Sequence, residues 1–248
     1  AVGKDALKAN TTGDYNVALG RDALTANTTG ASNLAIGTNT MAANTTGTRN
    51  IAIGNEAYDS SDTENDNIAI GYQAMTTNTA GGTANVAIGN YALDALTSGD
   101  GNIAVGDNAL SANNSGGSNT SIGHESLAAN TTASNNTAVG KGSLTTNTTG
   151  ADNVAVGFTA LTANTTGGDN IAIGSQSLLA NTTGGDNVSI GTDAMQSNTT
   201  GADNVAIGKD CMLANTEGVN NVAMGNISLI ANTTGSRNTA IGAESMND

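Results

Sequence analysis

The chain carries few reactive side chains. Its 248 residues include one Cys, one His, one Phe, no Trp and no Pro. With a single thiol and a single imidazole, nucleophilic, acid–base and His/Cys metal chemistry have almost no carriers. A lone Cys also rules out a disulfide framework within the chain. Aromatics make up 2% and charged residues 11%, against about 25% charged in an ordinary domain. A core of interlocking Leu, Phe and Trp cannot be assembled from this stock. Lys and Arg total 7 against 21 Asp and Glu, for a net charge of −14. A nucleic-acid binder needs a basic stripe to displace counterions, and an anionic membrane surface repels such a chain. No run of about 18 apolar residues occurs, so no membrane-spanning helix is expected. No signal peptide is visible. The chain starts at Ala1 and cuts through a repeat at both ends, which reads as a processed chain or a segment of a longer one. Disorder is not expected either, because β-branched Ile, Val and Thr recur throughout.

What is present is a repeat over the whole length. Units of 17 residues start at 17, 34, 51, 68, 86, 103, 120, 137, 154, 171, 188, 205 and 222, with partial units at both ends. Only the unit from Ile68 to Asn85 has 18 residues. The consensus is [VIT]-A-I-G-x-x-A-L-x-A-N-T-T-G-x-x-N. Column 4 is Gly in all 15 copies and column 17 is Asn in all 14, so these two positions fix the register.

V-A-I alternates, which predicts a short strand with columns 1 and 3 on one face. Those columns hold the large apolar residues, such as Val154 and Val156, and are expected to point inward. Gly at column 4 (Gly157, Gly174, Gly191) permits a bend that other residues resist. A second short strand is expected over columns 7 to 10, with the Leu or Met of column 8 inward. T-T-G-x-x-N reads as the turn back. One unit is then one coil. A coil buries about three large side chains at roughly 1.5–3 kcal/mol each, while ordering costs roughly 1–2 kcal/mol per residue. A single coil cannot fold alone, so coils must stack. Stacked Asn columns (Asn16, Asn153, Asn170, Asn187) can bond along the axis as a ladder. The expectation is an all-β parallel β-solenoid of about 15 coils, one continuous repeat rod over 1–248. At about 4.8 Å per coil it would be roughly 65–70 Å long.

Column 2 is Ala in 13 copies and Ser in 2. If columns 1 and 3 point inward, this strictly small column points outward. Ala155, Ala172, Ser189 and Ala206 are therefore expected to form an oligomer face against other copies of the chain.

Several residues invite a chemical reading. Asp152, Asp169, Asp186 and Asp203 occupy column 16 of four consecutive units. They read as a solvated acidic edge, or as carboxylates that a Ca²⁺ could bridge; no other cofactor is expected. The unit from Ile51 to Asn67 is aberrant: it loses the Asn of column 11 and the Gly of column 14, and gathers Glu56, Asp59, Asp62, Glu64 and Asp66. It reads as a surface variation or as a metal or ligand loop. In the unit from Val86 to Asn102, Leu96 replaces the column 11 Asn. Cys211 stands in a small-residue column and reads as buried; His124 falls in a variable column and reads as exposed. N-T-T sequons at Asn10, Asn27, Asn44, Asn130, Asn147, Asn164, Asn181, Asn198 and Asn232 read as an Asn ladder or as glycan acceptors. The paired Thr columns 12 and 13 form a hydroxyl array of the kind that could bind ice.

The V-A-I-G string, with Asn before the strand and a small residue three positions after it, resembles the head repeats of YadA-type trimeric autotransporter adhesins. The longer A-L-x-A-N-T-T-G-x-x-N-x-A-I-G string looks like repeats of phage tail fibres and bacterial surface fibres. The resemblance implies left-handed parallel β-rolls assembled as a homotrimer. It also implies an extracellular, cell-surface or virion-surface fibre that meets a host-cell surface, matrix or glycan. The function expected is structural and adhesive, with a phage tail-fibre shaft as the alternative and an ice- or calcium-linked glycan-binding solenoid behind it. An enzyme is not expected, since short coils without insertions offer no cleft for paired carboxylates.

Overall fold

The computed structural model describes residues 1–78 and 81–247. The chain divides into two compact units, Ala1–His124 and Glu125–Asp248. Among the described residues the first holds seven three-residue strands, β1 (Val17–Leu19) to β7 (Thr120–Ile122), and the second seven more, β8 (Thr137–Val139) to β14 (Thr239–Ile241). Within each unit every strand pairs in parallel with the next, residue for residue at the repeat period. Val154 lies against Ile171 and Ile171 against Val188. In the first unit the 18-residue repeat keeps the register, because Ile68 still pairs with Val86. Both units are parallel β-solenoids, one coil per repeat.

The strand is three residues long, yet inter-coil hydrogen bonding continues around the coil. Gly174 N donates back to Val156 O at 2.8 Å and Gln176 N to Phe158 O at 2.9 Å. Leu178 N donates forward to Ala194 O at 3.0 Å and Thr182 N to Thr199 O at 2.9 Å. Most backbone hydrogen bonds thus run between coils, while columns 7 and 11 bond within the coil, as Ser177 N to Gly174 O at 3.3 Å and Asn181 N to Leu178 O at 3.2 Å; together they satisfy the buried backbone groups.

Among the described residues no second strand covers columns 7 to 10. Columns 6 and 8 instead adopt left-handed backbone in coil after coil, as at Gln176 (φ 57°) and Leu178 (φ 54°). This conformation is disfavoured for Leu by roughly 1–2 kcal/mol. Alternating it with right-handed residues bends the chain sharply while keeping its N–H and C=O groups on the axis. The cost is offset by burial: Leu161, Leu178 and Met195 are fully buried. The Gly of column 4 has a different necessity. Gly157 (φ 144°) sits directly under Gly174, and a Cβ on it would lie 2.6 Å from the Gly174 carbonyl carbon.

The orientation of the strand is opposite to the expected one. Column 2 faces inward and columns 1 and 3 face outward. Ala155, Ala172, Ser189 and Ala206 are fully buried within the single chain, so they cannot form the face offered to another copy. Ile171 and Ile173 are 37% and 38% exposed. The physical reason is thickness: a 17-residue coil leaves room across its interior for one Leu and several small groups, and the strand residue opposite must be Ala or Ser.

Asparagine supplies much of the remaining interior. Asn164 and Asn170, one from each Asn column, are fully buried, as are their counterparts in neighbouring coils. In column 17, Asn170 N and Nδ2 donate to Asn153 Oδ1 at 3.0 and 3.1 Å, and Nδ2 also reaches Gly184 O at 2.9 Å. Asn187 repeats the pattern on Asn170, and Asn153 on Asn136. At the N-terminal end Asn33 N donates to Asn16 Oδ1 at 2.9 Å. Amides so paired can be buried without the penalty of an unmade bond.

Candidate functional surface

Three kinds of surface follow from this coil. The first is the outer face of the strands. Columns 1 and 3 present Val, Ile, Leu or Met in every strand except for Thr120, Thr137 and Thr239, and they contain no charged residue. Val17, Leu19, Ile88, Ile103, Ile122, Ile171, Ile173, Met224 and Ile241 are all exposed. In each unit two apolar rows therefore run side by side along a parallel sheet. Parallel sheets are ordinarily covered on both faces, and a contiguous apolar surface marks an interaction site.

The second surface is the edge at column 16. Asp152, Asp169, Asp186 and Asp203 are exposed there, one per coil. Each has left-handed backbone, φ 57–59°, a conformation in which Asp and Asn are enriched. The other residues of this column, including Asn135, Gly101 and Asn220, share the positive φ. The Asp column therefore has a backbone cause that involves no metal. Among the described residues no three His, Cys, Asp or Glu come together to hold a metal ion. The row also accepts complementary neighbours. Asn135 Nδ2 donates to Asp152 Oδ1 at 3.0 Å, and Arg49 grips Asp66 through Nε and Nη2 at 2.6 and 2.8 Å. That pairing holds the Asp66 carboxyl below the usual carboxylate range.

The Thr columns separate. Column 12 hydroxyls are spent on the coil stack: Thr165 Oγ1 donates to Thr182 O and Thr182 Oγ1 to Thr199 O, each at 3.0 Å. Column 13 residues Thr149, Thr166, Thr183 and Thr200 are exposed, which leaves one hydroxyl row where the sequence offered two. The sequon asparagines belong to a second ladder. Asn164 Nδ2 donates to Asn147 Oδ1 at 2.8 Å and to Gly167 O at 2.8 Å, and Asn181 and Asn198 repeat this. From Asn27 to Asn198 the sequon side chains are fully buried, so their nitrogens are not presented to a glycosylating enzyme in the folded coil. Cys211 is buried and its thiol is pushed up to about 11 by that burial, which keeps it protonated and unreactive. His124 Nε2 lies 3.6 Å from Asp107 on the surface.

The third surface surrounds the irregular coils from Ile51 to Asn119. In the first of them the two lost consensus residues compensate each other. Ser61 replaces the column 11 Asn, and Glu64, in the Gly position of column 14, turns its carboxylate into the vacated space. Glu64 is 3% exposed. Its Oε2 accepts from Asp62 N at 2.9 Å and Thr63 N at 3.0 Å, and its Oε1 from Gly81 N at 3.2 Å. Tyr58 fills the Leu position of column 8, fully buried, and its hydroxyl accepts from Asn67 Nδ2 at 2.5 Å and Asn78 Nδ2 at 3.3 Å. Burial raises the Tyr58 hydroxyl well above the ordinary tyrosine range. The ladder is interrupted here, and Asn44 Oδ1 is buried without a partner. Glu64 thus acts structurally within its coil, whereas Glu56, Asp59, Asp62 and Asp66 stay at least partly exposed. Tyr72 and Tyr91, neither singled out by the repeat, stand together on the surface of the coils that follow, ring centroids 5.4 Å apart at 87°.

No protein-family model, no curated protein and no solved structure matches the chain.

Proposed function

We propose that this chain is a segment of an extracellular structural and adhesive fibre, assembled as a homotrimer through the outer strand face. A stacked-coil β-solenoid suits a structural fibre, since length is added one coil at a time and stability accumulates between neighbours. The carrying observation is the outer strand face: the strands of the described residues hold not one charge at columns 1 and 3. A solvated face would have collected Lys, Glu or Asp, as the variable columns did. Covering it with copies of the same chain removes two apolar side chains from water in most coils and one in those with Thr120, Thr137 and Thr239, and a symmetric assembly needs no second gene product. The outward columns 5, 9, 15 and 16 remain free in such an assembly. They repeat once per coil and give many weak contacts to a host-cell surface, matrix or glycan. A phage tail-fibre shaft would use the same face and the same repetition.

The test is the solution mass by sedimentation or light scattering. Three times the chain mass is expected, and a monomer at micromolar concentration overturns the reading. Ile171→Lys with Ile173→Lys should lower the mass to that of one chain and leave the circular-dichroism spectrum of the coil in place.

A further inference from the structure

We propose that the depression beside Tyr91 is a binding site for a quaternary ammonium group such as that of choline. The site lies apart from the outer strand face, on the turn side of two adjacent coils. It is an open depression of about 370 Å³ lined by Tyr91, Asp94, Ala95, Asn108, Ser111 and Ala112. Columns 6, 9 and 10 of the coils Val86–Asn102 and Ile103–Asn119 supply these residues.

In some other coils longer polar side chains meet at columns 6 and 9. Gln196 Nε2 bridges Gln176 Oε1 at 2.7 Å and Asp193 Oδ1 at 2.9 Å, and Gln73 Nε2 reaches Glu56 Oε2 at 2.7 Å. Beside Tyr91, column 10 carries its usual Ala (Ala95, Ala112) and column 9 of the next coil the short Ser111, so no long side chain crosses the space. Tyr72 stands edge-to-face with Tyr91 and fixes the ring that borders the depression, so Tyr72 is a positioning residue.

The lining selects the ligand. An aromatic face attracts a cation through its quadrupole, and a carboxylate supplies the counter-charge. Asp94 is half-buried, and that burial raises its pKa; a cation seated beside it would favour the charged form and oppose that rise. This stretch of the sequence has one sign: no Lys or Arg occurs between Arg49 and Lys141, while Glu56, Asp59, Asp62, Glu64, Asp66, Asp94, Asp100, Asp107 and Glu125 fall within that span. An anion is repelled. A neutral apolar ligand would desolvate Asp94 without compensation. A primary ammonium is strongly hydrated and gains little from the methyl groups of Ala95 and Ala112, whereas a trimethylammonium matches both the alanines and the ring.

The experiment uses the whole chain and choline chloride, followed by calorimetry and by saturation transfer to the choline methyl protons. Saturable binding is expected, at least about tenfold tighter than that of 3,3-dimethyl-1-butanol, the neutral isostere. Tyr91→Ala should weaken it about tenfold and Tyr91→Phe should retain it. Asp94→Asn should weaken it severalfold, with thermal melting unchanged in all three variants. Vesicles of pure phosphatidylcholine distinguish a lipid headgroup from a free solute as the source: sedimentation of the chain with them, together with choline binding, assigns the headgroup, and choline binding alone assigns the solute. Absence of saturable choline binding overturns the proposal. So does equal binding of the isostere, or unchanged binding by Tyr91→Ala.

Discussion

The coils from Val154 to Asn221 and those from Ile51 to Asn102 solve the same packing problem by different means. In the first group both Asn columns and the Gly columns 4 and 14 repeat without exception, and each Asn gives the same ladder bond as the one before it. In the second group Ser61, Glu64, Tyr58 and Leu96 replace consensus residues, and the interior stays filled. Glu64 occupies the space of a missing amide and Tyr58 offers its hydroxyl to two asparagines. The comparison separates what the coil requires from what it prefers. The Gly of column 4 is kept in both groups. The Asn of column 11 can be traded in two ways: Ser61 comes with Glu64 in place of the column 14 Gly, whereas the buried Leu96 keeps Gly99; where the Asn is kept, so is the small residue, since a Cβ on Gly167 would meet Asn164 Oδ1 at 2.5 Å.

The largest expected effect breaks the regular group. Gly174→Ala places a side chain on left-handed backbone and against the Gly191 carbonyl. It should cost about 3–5 kcal/mol, read as the loss of unfolding midpoint in urea. A loss under 1 kcal/mol would show that the Gly column is a matter of composition. Next, converting the irregular coil to consensus should stabilise it. Tyr58→Leu, Ser61→Asn and Glu64→Gly together give Asn44 Oδ1 a donor and should add about 1–3 kcal/mol. Ser61→Asn alone, with Glu64 still in place, should destabilise by overfilling the same space.

A smaller effect distinguishes the groups by pH. The folded coil raises the Tyr58 hydroxyl, so above the ordinary tyrosine range the folded state holds a proton that the unfolded state has released. Stability from this burial is complete below that range and falls as pH rises through it. Melting temperatures followed into the alkaline range should drop less in Tyr58→Phe. Cys211, in the regular group, acts with the same sign: its contribution declines from the ordinary thiol range toward a pH of about 11, and Cys211→Ala should remove that slope. The smallest effect concerns the Asp row. Asp169→Asn with Asp186→Asn keeps side chains suited to the backbone and should change stability by no more than about 0.5 kcal/mol, with or without Ca²⁺ in a melting experiment.

Much of this architecture was legible from residue spacing. The period, the strand at V-A-I, the inward column 8 and the parallel all-β stack all follow from columns that tolerate almost no variation. Which face of the strand points inward did not follow. Alternation says that Val154 and Val156 share a face opposite Ala155, and is silent on which side is the interior. The usual rule that large apolar residues go inside fails here because the interior is one side chain deep. The Asp row was visible as a pattern, but its cause lies in a φ that the residue identities only hint at. The exchange of Asn and Gly for Ser61 and Glu64 showed as irregularity in the sequence. Its compensating logic needed the Glu64 carboxylate to be seen turned inward. Tyr72 and Tyr91 fall in different columns, so no periodic reading brings them together.

Along the regular stretches the amides of column 11 point one way. Asn27 gives to Asn10, Asn164 to Asn147 and Asn198 to Asn181, always toward the preceding coil. Such a file is a line of dipoles in series, and each member polarises the next. A bond inside the line is stronger than one at its end, so amide protons there should exchange with deuterium more slowly. Asn44, whose oxygen has no donor above it, is such an end in the middle of a unit. Local opening should therefore begin around residue 61, and the regular coils beyond Asn147 should hold their protons longest.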